Sequence, residues 1–396
     1  MSLFDKASSG SQAYRMLASV LVGVRRMEIQ EVADPELGSN DVIVRPHTVG
    51  VCGTDFHIFS GESNYNFDAA GRPVPLSESP QVLGHEIAGT VEAIGNQVHD
   101  LDIGDRVVLD QGITCMSMMR EPPCEYCLSG DSHQCAHYGE HGITGLPGGF
   151  AEFIGISARN AVRIDSDLSS ARAALTEPLA CILHTWDAVG QANSRYSFGG
   201  QRPVQSVLIC GAGPAGLLFL QTLRHVVGFD GLALVTELDA AKRELARSFG
   251  AEVIDPTTTD VTAAVLDATS GRRVELVVEC TGSGTIYADI PRWMRKQATV
   301  CMYGIGHGDA SLDVLNELQW KEPTLVVSVG GSGGFDDDGR PTVYRDSLRL
   351  LQEGRIEVDP LLTHRYRGLA ALPSAFEGDH QRPGYVKGVV SLVNGV

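Results

Sequence analysis

Seven consecutive residues, Val51-Cys52-Gly53-Thr54-Asp55-Phe56-His57, place a thiol, a hydroxyl, a carboxylate and an imidazole on one short stretch. Gly84-His85-Glu86 follows, and Glu177 stands in Thr176-Glu177-Pro178-Leu179. Taken singly, each has a plain reading. A cysteine after an apolar run packs in a core, a histidine after glycine is a satisfied side chain, and a glutamate before proline opens a helix. Taken together, a thiolate, an imidazole and carboxylates suit a four-coordinate zinc ion. Cys52, His85, Glu86 and Glu177 are therefore the candidate ligands of one metal centre.

A second chemical signature lies in the other half of the chain. Gly211-Ala212-Gly213-Pro214-Ala215-Gly216 is a G-x-G-x-x-G stretch that directly follows an apolar strand and opens a helix, the context in which that pattern binds a dinucleotide. Gly211 makes the tight turn, Gly213 admits the pyrophosphate, and Gly216 lets helix and strand pack closely. The helix N-terminus, from Pro214 and Ala215, then offers free N–H groups to the phosphates. Glu237, 21 residues beyond Gly216, can accept hydrogen bonds from ribose hydroxyls and would repel a 2′-phosphate, so NAD is expected over NADP. Lys242 and Arg243 nearby keep NADP possible.

These sites need elements to hold them. The 396 residues allow two or three domains. With 43% apolar and 20% charged residues the composition is that of an ordinary globular protein. A net charge of −18 disfavours nucleic acid and anionic membrane as partners. The run over residues 16–24 is too short to span a bilayer, and Arg25-Arg26 follows it without a cleavage site, so no signal peptide is expected. Nine cysteines, four of them within 115–135, fit metal binding in a reducing, cytoplasmic setting better than a disulfide framework.

Residues 1–13 are Ser-rich and expected to fray. Short β-type runs follow at 20–24, 41–51, 87–94 and 106–110, with turns at Gly95 and Gly104-Asp105. They predict a mostly antiparallel β-domain with loops at 64–80 and 115–148, the second one tied by metal. Helical spacing begins near residue 171. From 204 to 329 strands and helices alternate, which predicts a doubly wound parallel sheet. After residue 330 the chain turns to loops, a helix near 344–353 and a last strand at 385–393, read as a return to the first domain. The expected fold is thus α/β, with domains over 1–184, 185–335 and 336–396.

The run Val49-Gly50-Val51-Cys52-Gly53-Thr54-Asp55, then Leu83-Gly84-His85-Glu86-Ile87-Ala88-Gly89, Gly104-Asp105-Arg106-Val107, Glu177-Pro178-Leu179 and the Gly211–Gly216 loop together resemble the zinc-dependent medium-chain dehydrogenase/reductase family. The resemblance runs in the family's order over residues 18–395. It implies a GroES-like catalytic domain joined to a Rossmann domain, and Glu-Pro-Leu resembles the sorbitol and threonine dehydrogenase branch.

The resemblance implies that Cys52 and His85 ligate a catalytic zinc, that Glu86 ligates or sits just behind, and that Glu177 ligates or acts through water. Thr54 falls at the family's hydroxyl proton relay and His57 at the relay's outlet. A second, structural zinc is implied at Glu121, Cys124, Cys127 and Cys135, with Glu121 where the family has a fourth cysteine. Cys115 is a substitute only if its loop folds back. The implied reaction is hydride transfer to NAD from a polyol, sugar alcohol, cyclitol or related sugar. L-Threonine, an aldose or a simple alcohol is the alternative. A homodimer or homotetramer is implied, with the strand near 324–329 at the interface. A nucleotide-binding sensor without turnover is the rival class, and the intact Cys52, Thr54, His57, His85 and Glu86 set argues against it.

Overall fold

The strand Asp41–Val51 buries Val42, Val44, Val49 and Val51 and is the spine of the first unit. The structure is a computed structural model that describes residues 15–306, 308 and 310–393. The fraying expected over 1–13 lies outside the described residues. The chain divides into two units. One comprises Met1–Ala180, Gly331–Gly354 and Leu362–Val396, the other Cys181–Gly330 and Arg355–Leu361.

In the first unit a seven-stranded sheet runs in the order Ala161–Arg163, Arg106–Leu109, Glu86–Ile94, Asp41–Val51, Gly388–Ser391 and His364–Arg367, with Ile154–Ser157 also paired to the spine. Only the pair His364–Arg367 and Gly388–Ser391 is parallel. Strands Arg15–Gly23, Arg26–Ala33 and Gln81–Val82 form a smaller sheet. The β-rich, mainly antiparallel half is therefore as read, but several strands fall outside the predicted runs, among them Arg26–Ala33, Ile154–Ser157, Ala161–Arg163 and His364–Arg367. Arg26–Ala33 has no buried residue, so it carries no apolar alternation to betray it. Fully buried aliphatics such as Leu83, Ile87 and Leu109 fill the core beside the spine, each contributing about 1.5–3 kcal/mol.

Register decides what meets at the end of the spine. Gly50 pairs with Glu86 on one side and with Val389 on the other. Cys52, Glu86 and Lys387 are thus delivered to one place by three adjacent strands. Gly50 is required there, because a Cβ on it would lie 1.8 Å from Glu86 Oε2.

The second unit is a six-stranded parallel sheet in the order Glu252–Ile254, Leu232–Thr236, Ser206–Cys210, Val274–Glu279, Met294–Met302 and Thr324–Val327. Every residue of Ser206–Cys210 and of Val274–Glu279 is buried, as strands covered on both faces must be. The order reverses beside Ser206–Cys210, and dinucleotides bind at such a switch point. The expected return of 336–396 to the first unit differs in one segment. Arg355–Leu361 joins the second unit, where Gln221 Nε2 donates to Glu357 O (2.9 Å) and Glu357 N donates to Gln221 Oε1 (2.7 Å).

Candidate active site

Cys52 ends the spine and precedes the helix Gly53–Ser60. Asp55, fully buried in that helix, accepts from Cys52 N at 2.8 Å and from Gly84 N at 3.2 Å. It therefore ties the Cys52 turn to the His85 loop. Its Oδ1 also lies 3.5 Å from His85 Nδ1. A carboxylate facing one ring nitrogen leaves the other for a metal, the usual support of a ligating histidine. Sequence reading gave Asp55 no definite role. The Cys-x-x-Asp spacing, which lets a third-position carboxylate reach back to the N-cap amide, was the signal.

Cys52, His85 and Glu86 present a sulfur, a nitrogen and an oxygen that all lie within 4.8 Å of one another. The two latter residues are buried. Burial alone would push His85 down, but the Asp55 carboxylate and the Cys52 sulfur beside it hold it well above the ordinary histidine range. The Glu86 carboxylate is shared. Its Oε1 is paired with the buried ammonium of Lys387, while its Oε2 is buried with no hydrogen-bond partner among the described residues. Burial opposes the Lys387 charge, and Glu86 and Cys52 more than compensate, holding the ammonium above its usual range. Sulfur, nitrogen and a spare carboxylate oxygen, in surroundings that call for positive charge, fit zinc. Lys387 was not singled out in the sequence. Its partner lies 301 residues away.

Glu177, in the helix Thr176–Gln191, is buried but is not one of that group. Its Oε1 accepts from Gln111 Nε2 at 2.9 Å. Thr54 Oγ1 lies 3.8 Å from Cys52 Sγ. His57, half-buried in the same helix, has Nδ1 2.7 Å from Glu62 Oε2, and that contact holds the Glu62 carboxyl below its usual range.

The second cluster corrects one expectation. Cys115, Cys124, Cys127 and Cys135 bring their sulfurs within 4.8 Å of one another, and Glu121 is not among them. The chain after Cys115 folds back, with Arg120 N donating to Cys115 O at 2.8 Å. Cys124 N then points at Cys115 Sγ, 3.4 Å away. Glu121 is left exposed, where its charge keeps its hydration. No disulfide links the four. The Cys115–Cys135 and Cys124–Cys135 sulfurs are 3.6 and 3.8 Å apart, and thiolates ~2.3 Å from a tetrahedral zinc sit ~3.8 Å apart. Backbone N–H groups of Cys127 and Ala136 bring the Cys124 thiol down to about 6, and burial pushes Cys127 up. A divalent ion is what would ionise the whole set.

In the second unit the Gly211–Gly216 turn joins Ser206–Cys210 to the helix Pro214–His225. Gly211 has φ +92°, a left-handed conformation open to glycine. A Cβ on Gly216 would lie 2.0 Å from Gly211 O, while one on Gly213 would meet nothing within 4 Å. Close packing at the last glycine and open space at the middle one suit a cradle for pyrophosphate. Glu237, just after Leu232–Thr236, accepts from Ala212 N (2.7 Å) and Asp239 N (2.9 Å). Lys242 lies in the first turn of the helix Ala240–Ser248, its backbone N capped by Asp239. The Arg243 guanidinium is committed to Glu237 O and to Asp255, at 2.9 and 2.8 Å.

Comparison with known proteins agrees with this geometry. A sequence model of the alcohol dehydrogenase GroES-like domain matches residues 38–166, and one of the zinc-binding dehydrogenases matches 214–353. The chain is 31% identical to an L-threonine 3-dehydrogenase of Pyrococcus abyssi over 88% of its length and 91% of the relative's. It is 31% identical to an L-threonine 3-dehydrogenase of Pectobacterium carotovorum, over 84% of the chain and 86% of that protein. A zinc-binding dehydrogenase of Sinorhizobium meliloti, solved bound to NADP, superposes with a TM-score of 0.77 at 27% identity, covering 96% of this chain and 99% of that one. No described helix is long and apolar enough to cross a membrane. The chain belongs to the zinc-dependent medium-chain dehydrogenase/reductase family, as an NAD(P)-dependent zinc enzyme acting on the CH–OH group of alcohols.

Proposed function

We propose that this enzyme oxidises a secondary alcohol whose neighbouring carbons carry further polar groups, and that NAD is its acceptor. The observation that carries this reading is the Cys52–His85–Glu86 cluster, its histidine and glutamate buried, together with a further buried carboxylate, Glu177, that accepts from Gln111. Carboxylates around the reacting centre suit a substrate rich in hydroxyl or ammonium donors and are wasted on a simple alkanol. Two substrate classes meet the requirement: polyols and related sugars, and a β-hydroxy amino acid such as L-threonine. The L-threonine 3-dehydrogenase relatives favour the second.

Bound zinc supplies a Lewis acid that acidifies the alcohol hydroxyl, and NAD supplies the hydride acceptor. The chain's own residues do the rest. Cys52, His85 and Glu86 hold the ion, and Asp55 fixes the two loops that carry them. Thr54 receives the hydroxyl proton and His57 passes it to solvent, its ring steadied by Glu62. In the nucleotide-binding part, Gly211, Gly213 and Gly216 let the backbone reach the pyrophosphate, the amides after Pro214 and Ala215 face it, and Glu237 takes the ribose hydroxyls. Lys242 flanks the ribose site.

A panel read by NADH absorbance tests the substrate: L-threonine, sugar alcohols, cyclitols, aldoses and simple alcohols. Turnover is expected with threonine or with a polyol. A clear preference for a simple alkanol would contradict the reading. For the cofactor, Glu237→Gln removes the charge and keeps an acceptor for Ala212 N. The ratio of kcat/KM for NADP+ over NAD+ should rise about tenfold or more, since a like charge no longer faces the 2′-phosphate. An unchanged ratio would remove Glu237 from cofactor choice.

The enzyme is further proposed to work as a homodimer or homotetramer. Thr324–Val327 is an edge of the parallel sheet, and it exposes Leu325 and Val327 beside an exposed Trp320. An apolar, unpaired edge of this kind is normally covered. Light scattering should give a mass of two or four chains, and a monomer would contradict the assignment.

A further inference from the structure

Glu177 is close enough to the metal cluster to bear on the charge of Lys387, the lysine that holds Glu86. Yet its ligand oxygen is not gathered with those of Cys52, His85 and Glu86. Two buried side chains form a hydrogen-bonded chain that ends on Glu177. Gln111, just beyond the strand Arg106–Leu109, donates from Nε2 to Glu177 Oε1 at 2.9 Å, and its Oε1 accepts from the hydroxyl of Tyr344. Gln111 is 2% exposed and Tyr344, on the helix Thr342–Gln352, is fully buried.

The orientation of this chain of bonds is determined. A carboxamide has one accepting end and one donating end. With the tyrosine hydroxyl donating to the accepting end, the N–H₂ group must face Glu177. The flipped amide would set its carbonyl against a carboxylate. The backbone around Gln111 is fixed as well. His141 N donates to Gln111 O at 2.9 Å, and Asn160 Nδ2 donates to Asp110 O and Gly112 O at 2.8 and 2.6 Å. The amide is therefore held at both its root and its tip, and it holds Glu177.

A catalytic zinc needs three protein ligands and one position left for substrate. Cys52, His85 and Glu86 already supply three. A further carboxylate free to swing in would fill the fourth. We propose that Gln111 and Tyr344 are positioning residues that hold the Glu177 carboxylate away from the metal and so keep one coordination position open for the alcohol. The inference rests on the reading of Cys52, His85 and Glu86 as the catalytic metal site. When the clamp is broken, Glu177 becomes a fourth protein ligand. The ion is then held more tightly and the alcohol is shut out.

The test uses the full chain and the metal alone. Release of zinc from the Cys52 site to a chromogenic chelator is timed in the native protein, Q111M, Y344F and Q111M/Y344F, and the visible spectrum of each cobalt-substituted form is recorded. The double variant removes donor and acceptor of the Gln111–Tyr344 bond together and leaves no orphaned hydroxyl in the core; the buried Asp110 carboxyl also loses its bond from Tyr344 there, so the double variant is read beside Q111M, which keeps that bond. The Q111M and Q111M/Y344F proteins should release zinc about tenfold or more slowly, the scale on which outer-shell changes move metal affinity. Their cobalt bands should shift, and the KM for alcohol should rise. Adding E177Q to either should return release to the native rate. Release that is unchanged or faster, or slow release that E177Q does not reverse, would overturn the proposal. A merely structural role for Gln111 gives faster release, the opposite sign. A native protein with no zinc at the Cys52 site would instead defeat the metal reading, and that result appears before any clamp residue is changed.

Discussion

Replacing Cys52 with serine should remove one zinc per chain and lower alcohol oxidation by about a thousandfold or more. Sulfur is the soft ligand of the cluster, and a serine hydroxyl replaces it poorly at zinc. Its loss does more than delete a ligand. Cys52 sulfur is part of the negative charge beside both His85 and Lys387, so the variant weakens the field that favours a cation there. A Lewis acid supplies several kcal/mol of barrier lowering, and about 1.4 kcal/mol is tenfold in rate. The fold should survive, because the bonds from Cys52 N and Gly84 N to Asp55 do not involve the sulfur. Metal analysis, circular dichroism and turnover on one preparation check all three statements. A variant that keeps both zincs and full rate would take Cys52 out of the site.

The second large effect is expected in the 115–135 lobe. Cys115→Ser should lower zinc from two per chain to one and drop the melting temperature, whereas Glu121→Ala should leave both unchanged. The lobe's own apolar core is small. The cysteines are its own small apolar cluster, with Tyr138 beside them, and its helix Glu125–Ser129 has five residues. Metal binding is then a large part of its folding energy. A loss of about 3 kcal/mol would lower the midpoint by about 6–12 °C in a unit of this size. Serine cannot replace the thiolate, and the three remaining sulfurs lack the charge and coordination number of a closed site. Loss of zinc in Glu121→Ala with retention in Cys115→Ser would restore the assignment that the geometry reverses.

The two outcomes also measure what the sequence could disclose. The dinucleotide loop was legible in full because its signal is local. Gly211 and Gly216 sit where only glycine fits, between a wholly buried strand and a helix. The alternation that follows predicted the parallel sheet for the same reason. Cys52, His85 and Glu86 were legible as residue types. What brings them together is the register of three strands, which pairs Gly50 with Glu86 and places Lys387 on the far side.

Register and long-range packing leave no mark on neighbouring residues. Lys387, Tyr344 and Gln111 were therefore invisible until the fold was in hand, the last two 233 residues apart. The Glu121 error has the same origin. The family resemblance implied a fourth ligand three residues before Cys124, where this chain has Glu121, while the fold-back that carries Cys115 to the cluster depends on a turn over 115–120. A uniform set of thiolates was the better chemical guess for a closed zinc site, and four cysteines within 115–135 were there to be counted.

The Cys52–His85–Glu86 cluster is proposed as the zinc site at which an alcohol gives up its hydride. It is tested most directly by removing and restoring that metal while following NADH formation with a turned-over alcohol. Activity should vanish as the more labile zinc leaves, with the lobe zinc retained, and should return in proportion to zinc added back to the native protein but not to Cys52→Ser. A protein that reduces NAD+ at the native rate after that zinc has gone would contradict the account.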